Sequence, residues 1–306
     1  MPSWADLRTQ FDAQPSDPQK LDWLEKSLYH WLGCVSKARG GRNVVFYATA
    51  FMQKPAVPAY ETMLMLEDVN GLMAALHGMD WSKNLTLLLH TPGGVPGAAN
   101  ALVEYLHSKF ADIEVIVPTF AMSAGTMISL GADRVVMGRQ SQLGPIDAQM
   151  QTKHGSVSAG AMLENFQRAR EEIAADQNLA HLWHPILQSM GPSLNQEAAD
   201  ALAFGEAMVK GWLEKRMFAG ESNAAELATN AAHHFNATTV HKNHSRRIDR
   251  DEARSVNIKV EDLEDSQDLQ EAVLTAYHIA SLNFTVTKAV KIFASTQNVT
   301  WQKNSA

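Results

Sequence analysis

Cysteine is nearly absent from this 306-residue chain. Cys34 stands alone, which excludes an intrachain disulfide and leaves no cysteine-based metal site. Basic charge is also scarce: 26 Lys and Arg face 33 Asp and Glu, a formal net charge of −7. The one concentrated basic stretch is "HKNHSRRIDR", starting at residue 241. Nucleic-acid binding needs a broader cationic footprint, so no nucleic-acid partner is expected. Long apolar runs are missing too. The strongest, "LTLLL" and "IEVIV", fall far short of the roughly 20 residues of a membrane helix, so no integral membrane segment is expected. The first 20 residues carry neither the basic nor the apolar region of a secretory signal. These absences lead us to expect a soluble, cytoplasmic protein.

What is present is an ordinary globular balance, 45% hydrophobic and 19% charged. Residues 18–36 place Leu21, Leu24, Leu28, Trp31 and Leu32 near helical spacing, so a helix is predicted there, packed on the main body or on a neighbouring subunit. From residue 43 short apolar strands alternate with helical patterns. Strands are predicted at "NVVFYATAF", 84–91, 112–119 and 133–138, with helices over 60–79, 96–110 and 123–132. Such alternation implies parallel strands joined by right-handed crossovers, with helices on both faces. Further on, helices are predicted over 160–182 and 195–217, and a helix followed by a short strand over 249–263. Residues 224–240 read as a helix and an irregular loop, and 267–295 as a final helix.

Two strand-to-helix turns carry the chemistry. "LLLHTPGGVPG" follows one strand and "VPTFAMSAGTM" the next. The carboxyl ends of neighbouring parallel strands open on the same edge, so the two turns face one crevice. Gly93 and Gly94 can aim backbone N–H groups outward, and Ala124 adds a free N–H in the first turn of the following helix. A glycine N–H together with the N–H after a serine is the geometry of an oxyanion hole. Ser123 is then either a helix cap or a nucleophile on a sharp turn. "TPGGVPG" lacks the lysine and hydroxyl of a phosphate loop and does not spell G-x-G-x-x-G, so nucleotide binding is not expected. His233, His234 and His241 lack the spacing of a zinc peptidase and read as a solvated loop; no metal or cofactor is expected. The methionines of residues 60–79 suit a core, a subunit interface or an apolar groove.

"LLLHTPGG", "VPTFAMSAGTMISLGADRVVMG" and "SQLGPIDAQ" together resemble the serine dehydrogenase proteinase family. That family sits among serine peptidases of the Clp-protease/crotonase fold, a group that includes signal peptide peptidase A. The resemblance is specific over residues 84–150 and looser through 241–263. It implies an α/β ββα-superhelix core, a serine nucleophile and homo-oligomeric assembly. Position by position, Ser123 matches the nucleophile, and Gly93 or Gly94 with Ala124 matches the oxyanion donors.

The general base departs from the pattern. Where signal peptide peptidase relatives carry a lysine, this chain has "SVSAGAM", and Lys153 and His154 fall several residues earlier. Where Clp subunits carry histidine, Ile146 and Asp147 stand; where they carry aspartate, His244 and Ser245 stand. The two polar partners are thus exchanged. A triad is defined by geometry and role, not by chain order. We therefore read Ser123 as nucleophile, His244 as base and Asp147 as its orienting carboxylate. Lys153, His154 and His90 are the alternative bases, and Asp147 could equally cap a turn.

The sequence is accordingly divided into an N-terminal helical extension (1–38), a peptidase domain (39–263) and a C-terminal helical arm (264–306). The expected activity is hydrolysis of a peptide or protein substrate through an acyl-enzyme. Two alternatives stay open at this point: an inactive oligomeric scaffold of the same fold, and a crotonase-type acyl-CoA enzyme.

Overall fold

The computed structural model describes residues 2–152, 155–190 and 193–305. Among these, seven strands form one sheet: β1 (Asn43–Thr49), β2 (Leu85–His90), β3 (Ile113–Val117), β4 (Arg134–Met137), β5 (Val260–Asp262), β6 (Ala289–Ser295) and β7 (Thr300–Asn304). Their spatial order is β7-β6-β1-β2-β3-β4-β5. From β1 to β5 every pairing is parallel, as the alternating pattern predicts, whereas β6 pairs antiparallel with β1 and β7 antiparallel with β6. The sheet is therefore mixed.

β1, β2, β3 and β6 are buried along their whole length, which explains apolar runs without a polar face. Successive side chains point to opposite faces. Val45, Tyr47, Leu87, Leu89, Val115, Val135 and Phe293 pack into one core, which also takes in helices of residues 68–107 and 194–236. Val44, Phe46, Leu88, Ile116, Val136 and Ile292 face the other core. That second core is closed by α1 (Trp4–Asp12), α2 (Asp17–Ala38) and a helix at Gln267–Val286, whose Leu24, Leu28, Leu32, Val273 and Ile279 are buried. The N-terminal amphipathic helix thus finds its partner surface on the chain's own sheet.

Three readings are corrected. The stretch predicted as one helix over 267–295, within a C-terminal helical arm, is helical only to Val286. Residues 289–295 are β6, held by five registered pairs with β1 from Val45↔Ser295 to Thr49↔Lys291. "KAVKIF" is short and apolar, and periodicity alone does not separate a buried strand from a helix. The helix predicted over 60–79 is broken: Ala59–Thr62 and α3 (Asp68–Leu76) flank an extended segment in which Leu64 bridges to Gly94. His233 and His234 lie in the last turn of a helix at Ala224–Asn236, and His241 is buried, so this cluster is not a solvated loop. His234 and Arg246 both bond Glu252, at 3.0 and 2.6 Å.

Candidate active site

The site lies beyond the carboxyl ends of β2 and β3. After β2 the chain runs into "TPGG", and after β3 into the short strand Phe120–Ala121 and the helix Ala124–Leu130. The two turns are tied together. Thr91 N–H donates to Phe120 O at 3.0 Å, and Met122 N–H returns a bond to Thr91 O at 3.1 Å. A Cβ built on Gly93 would lie 2.7 Å from Ser123 Cβ and 2.5 Å from Met122 O, so only glycine fits against the serine turn. Gly93 also holds φ +95°, which a side chain would strain.

Ser123 does not have the features of a helix cap. Its side chain makes no capping hydrogen bond. Its backbone sits at φ 52°, ψ −115°, outside the helical and extended regions alike. Non-glycine residues in such conformations cost on the order of 1–3 kcal/mol and persist only where the surroundings impose them. A cap needs an extended backbone and no strain; a sharp strand-to-helix elbow that lifts a hydroxyl clear of the chain needs this one.

The donors around Ser123 differ in their occupancy. Gly93 N–H is taken by Thr91 Oγ1 at 3.2 Å. Gly94 and Ala124 N–H have no hydrogen-bond partner among the described residues. Leu64 fixes the peptides on either side of Gly94, donating to Gly93 O at 2.7 Å and accepting from Val95 N–H at 2.9 Å. Of the two glycines, Gly94 therefore keeps the free donor.

His244 and Asp147, 97 positions apart, are in contact. The His244 Nδ1–Asp147 Oδ1 distance is 2.7 Å. The loop carrying Asp147 is clamped to the segment carrying His244 by paired bonds between Leu143 and Ile248, both 2.9 Å, and to the helix at Ala224–Asn236 by Ile146 N–H to Phe235 O at 2.9 Å. Asp147 is buried and accepts two more bonds on Oδ2, from Gln149 Nε2 at 2.9 Å and Ser158 Oγ at 3.2 Å. A carboxylate on Nδ1 selects the tautomer that leaves Nε2 as the basic nitrogen.

Ser123, Gly94, Asp147 and His244 line one cleft of about 900 Å³. No hydrogen bond joins Ser123 to His244 among the described residues. Unliganded sites often leave this contact open. Apolar side chains fill much of the remaining wall, among them Phe51, Met63, Met127 and Phe204.

His90 stands apart from the cleft. It is buried among Phe51, Phe120 and Tyr277, its Nδ1 shares a hydrogen bond with Thr119 Oγ1 at 2.8 Å, and burial pushes its pKa down to about 3. A base of that strength does not accept a serine proton near neutral pH. Lys153 and His154 lie outside the described residues. Sequence reasoning missed the antiparallel pairing of Gln149–Thr152 with Gly155–Ser158, which contributes Ser158 to Asp147 and Met150 to the cleft. It also missed Lys54, a cleft-lining lysine that donates to Thr287 O at 2.8 Å.

Residues 44–183 match the family described as ClpP-like SDH-type serine proteinase. The similarity thus takes in both glycine and serine turns. The matched segment holds Ser123, Gly93, Gly94 and Asp147 and ends before His244. Two uncharacterized proteins of Methanocaldococcus jannaschii are 33% and 30% identical over 123 and 144 residues. Those alignments cover 40% and 46% of this chain and 41% and 47% of the relatives, so the chain spans less than half the length of these two relatives. An ATP-dependent Clp protease proteolytic subunit of Streptococcus pneumoniae is 26% identical over 137 residues, covering 45% of this chain and 67% of that protein. Among solved structures, a serine-to-alanine mutant of a membrane-bound stomatin-specific protease aligns with a TM-score of 0.38 and 15% identity, over 69% of this chain and 79% of that one. The chain folds as an α/β protein with a mixed central sheet, and the segment similar to the ClpP-like family runs through β1 to β4. No helix among the described residues is long and apolar enough to cross a membrane.

Proposed function

We propose that the chain is a serine peptidase in which Ser123, His244 and Asp147 form the catalytic triad and the N–H groups of Gly94 and Ala124 form the oxyanion hole. The observation that carries this reading is the 2.7 Å His244–Asp147 pair opening into the same cleft as a strained, uncapped Ser123. His244 Nε2 takes the Ser123 hydroxyl proton as Oγ attacks the scissile carbonyl carbon. The carbonyl π electrons move onto oxygen, where the two N–H groups meet the negative charge. Asp147 holds the ring and stabilises the imidazolium. The imidazolium then protonates the departing amine, leaving an ester on Ser123. Water, deprotonated by the same nitrogen, hydrolyses that ester and restores the hydroxyl. The apolar wall of Phe51, Met63, Met127 and Phe204 favours a substrate side chain that is apolar.

Fluorophosphonate labelling mapped by peptide mass spectrometry tests the reading. Label is expected on Ser123 of the wild type and is expected to be lost in His244→Ala. Label on Ser123 that persists at full rate in that variant would overturn His244 as base. Absence of label on the wild type would overturn the hydrolase.

A further inference from the structure

On the far side of the "TPGG" turn from the cleft, three polar side chains are buried in the core. Lys291 of β6 and Asp68 at the start of α3 are both 0% exposed, and Tyr47 of β1 is 1% exposed. Lys291 Nζ lies 2.9 Å from each Asp68 oxygen. The Tyr47 hydroxyl donates to Asp68 Oδ2 at 3.0 Å. Burying an ion pair costs several kcal/mol per ion before the partners attract, and well-packed apolar residues usually serve a core as well or better. Packing alone therefore does not account for it.

The contacts of the pair lead to the site. Asp68 Oδ2 also accepts the Met65 N–H at 2.8 Å. Met65 follows Leu64, whose N–H and C=O grip the peptides on either side of Gly94. On the other flank the Thr91 hydroxyl neighbours the Tyr47 phenol and accepts the Gly93 N–H. A Cβ on Gly94 would lie 2.2 Å from Leu64 O, so the Leu64 backbone presses directly on this residue. Glu67 is the one other charged group beside the pair among the described residues, 3.7 Å from Lys291 Nζ and itself bonded to Lys303.

We infer that the Tyr47–Asp68–Lys291 network is a positioning device for the oxyanion hole: it fixes the Leu64–Met65 segment and thereby the direction of the Gly94 N–H. The inference rests on the catalytic reading above. None of the three side chains touches the cleft, so they act through Leu64 and Thr91. A misplacement of about 1 Å can cost on the order of 10²-fold in rate, comparable to losing a donor outright.

The test compares wild type with Lys291→Met, Asp68→Asn and the milder Tyr47→Phe. Two readouts are taken well below each variant's thermal midpoint: the rate of fluorophosphonate labelling, and amide hydrogen exchange over residues 63–68 and 92–96. Labelling is expected to slow about 10- to 100-fold in Lys291→Met and Asp68→Asn and about 3- to 10-fold in Tyr47→Phe. Exchange at the Leu64 and Val95 amides is expected to quicken while that of β3 stays unchanged, and Lys291→Arg is expected to restore part of the labelling rate. A lowered thermal midpoint with labelling at the wild-type rate would make the network purely structural and overturn the inference. If Lys291→Met and Asp68→Asn do not fold, Tyr47→Phe decides alone. Should wild-type protein take no label, the hydrolase reading falls, and exchange decides the positioning: loosening confined to 63–68 and 92–96 supports it, and unchanged exchange overturns it.

Discussion

The two ends of β3 hold ionisable groups used in opposite ways. At its start, Glu114 is fully buried and saturated: it accepts from Arg39 Nε at 2.9 Å, Thr86 Oγ1 at 2.6 Å and Arg134 Nε at 3.2 Å. Asp112 beside it takes a two-pronged contact from Arg134, at 2.9 and 3.1 Å, and a third from Arg42 at 2.6 Å. Beyond its far end, the backbone turns through a strained Ser123, and the N–H groups of Gly94 and Ala124 keep their hydrogen-bonding capacity open. One end spends every polar group on holding strands together. The other leaves two N–H donors without partners beside a cleft lined by Ser123 and His244. Saturation fits a structural role, and open capacity is what the proposed chemistry needs.

The contrast can be broken experimentally at either end. The largest effect is expected from Ser123→Ala, which removes the attacking oxygen and should take peptide hydrolysis below detection while the thermal midpoint holds. Asp147→Asn comes next, with hydrolysis lowered about 10²- to 10⁴-fold, because the ring loses the partner that sets its tautomer. Steady-state kinetics would check both, and a wild-type rate in either variant would remove that residue from the mechanism. At the saturated end, Glu114→Gln should cost about 1–3 kcal/mol by weakening charge-assisted hydrogen bonds while Asp112 and Glu261 still pair the guanidinium groups, read by urea unfolding. Its fluorophosphonate labelling rate should stay at the wild-type value below the thermal midpoint.

The same end should show in the pH dependence of stability. Burial alone would raise the Glu114 carboxyl, but hydrogen bonds from Arg39 and Thr86 and the nearby guanidinium charges outweigh it, so its pKa is lowered in the fold; Arg134 and Arg42 do the same for Asp112 against its burial. A depressed folded pKa gives stability that is complete above the unfolded value, about 4, and lost as pH falls through the folded one. Melting temperature should therefore drop in that acid range, and drop less steeply in Glu114→Gln. The smallest effect sharpens the comparison from the active end. Ser123→Gly should abolish hydrolysis yet raise stability by about 1 kcal/mol, since glycine relieves the positive φ. Unchanged or lower stability would show that the turn is not strained.

Much of this was legible in the residues, for identifiable reasons. β1 to β4 are short apolar runs bounded by turn residues, and a parallel strand buried on both faces reads that way. The "TPGG" and "SAGT" turns stand out because they are paired one strand apart, and the exchange of His244 and Asp147 was read as a departure from the peptidases the sequence resembles. β6 was misread because "AVKIF" fits either period, and its partner lies some 240 positions earlier in β1. The break at Leu64 was hidden because a bridge to Gly94 outweighs local helical spacing.

The sequence by itself determined the alternation of strands and helices, the two turns that open on one edge, and the residue types able to carry acyl transfer. Those are local or periodic properties, set by side-chain chemistry and backbone freedom within a few residues. Tertiary structure alone decided that Gly94 rather than Gly93 keeps a free donor, that Ser123 is strained instead of capping, that His244 meets Asp147, and that a buried lysine of β6 meets Asp68. Each depends on contacts between segments distant along the chain, and such contacts exist only once the sheet has closed.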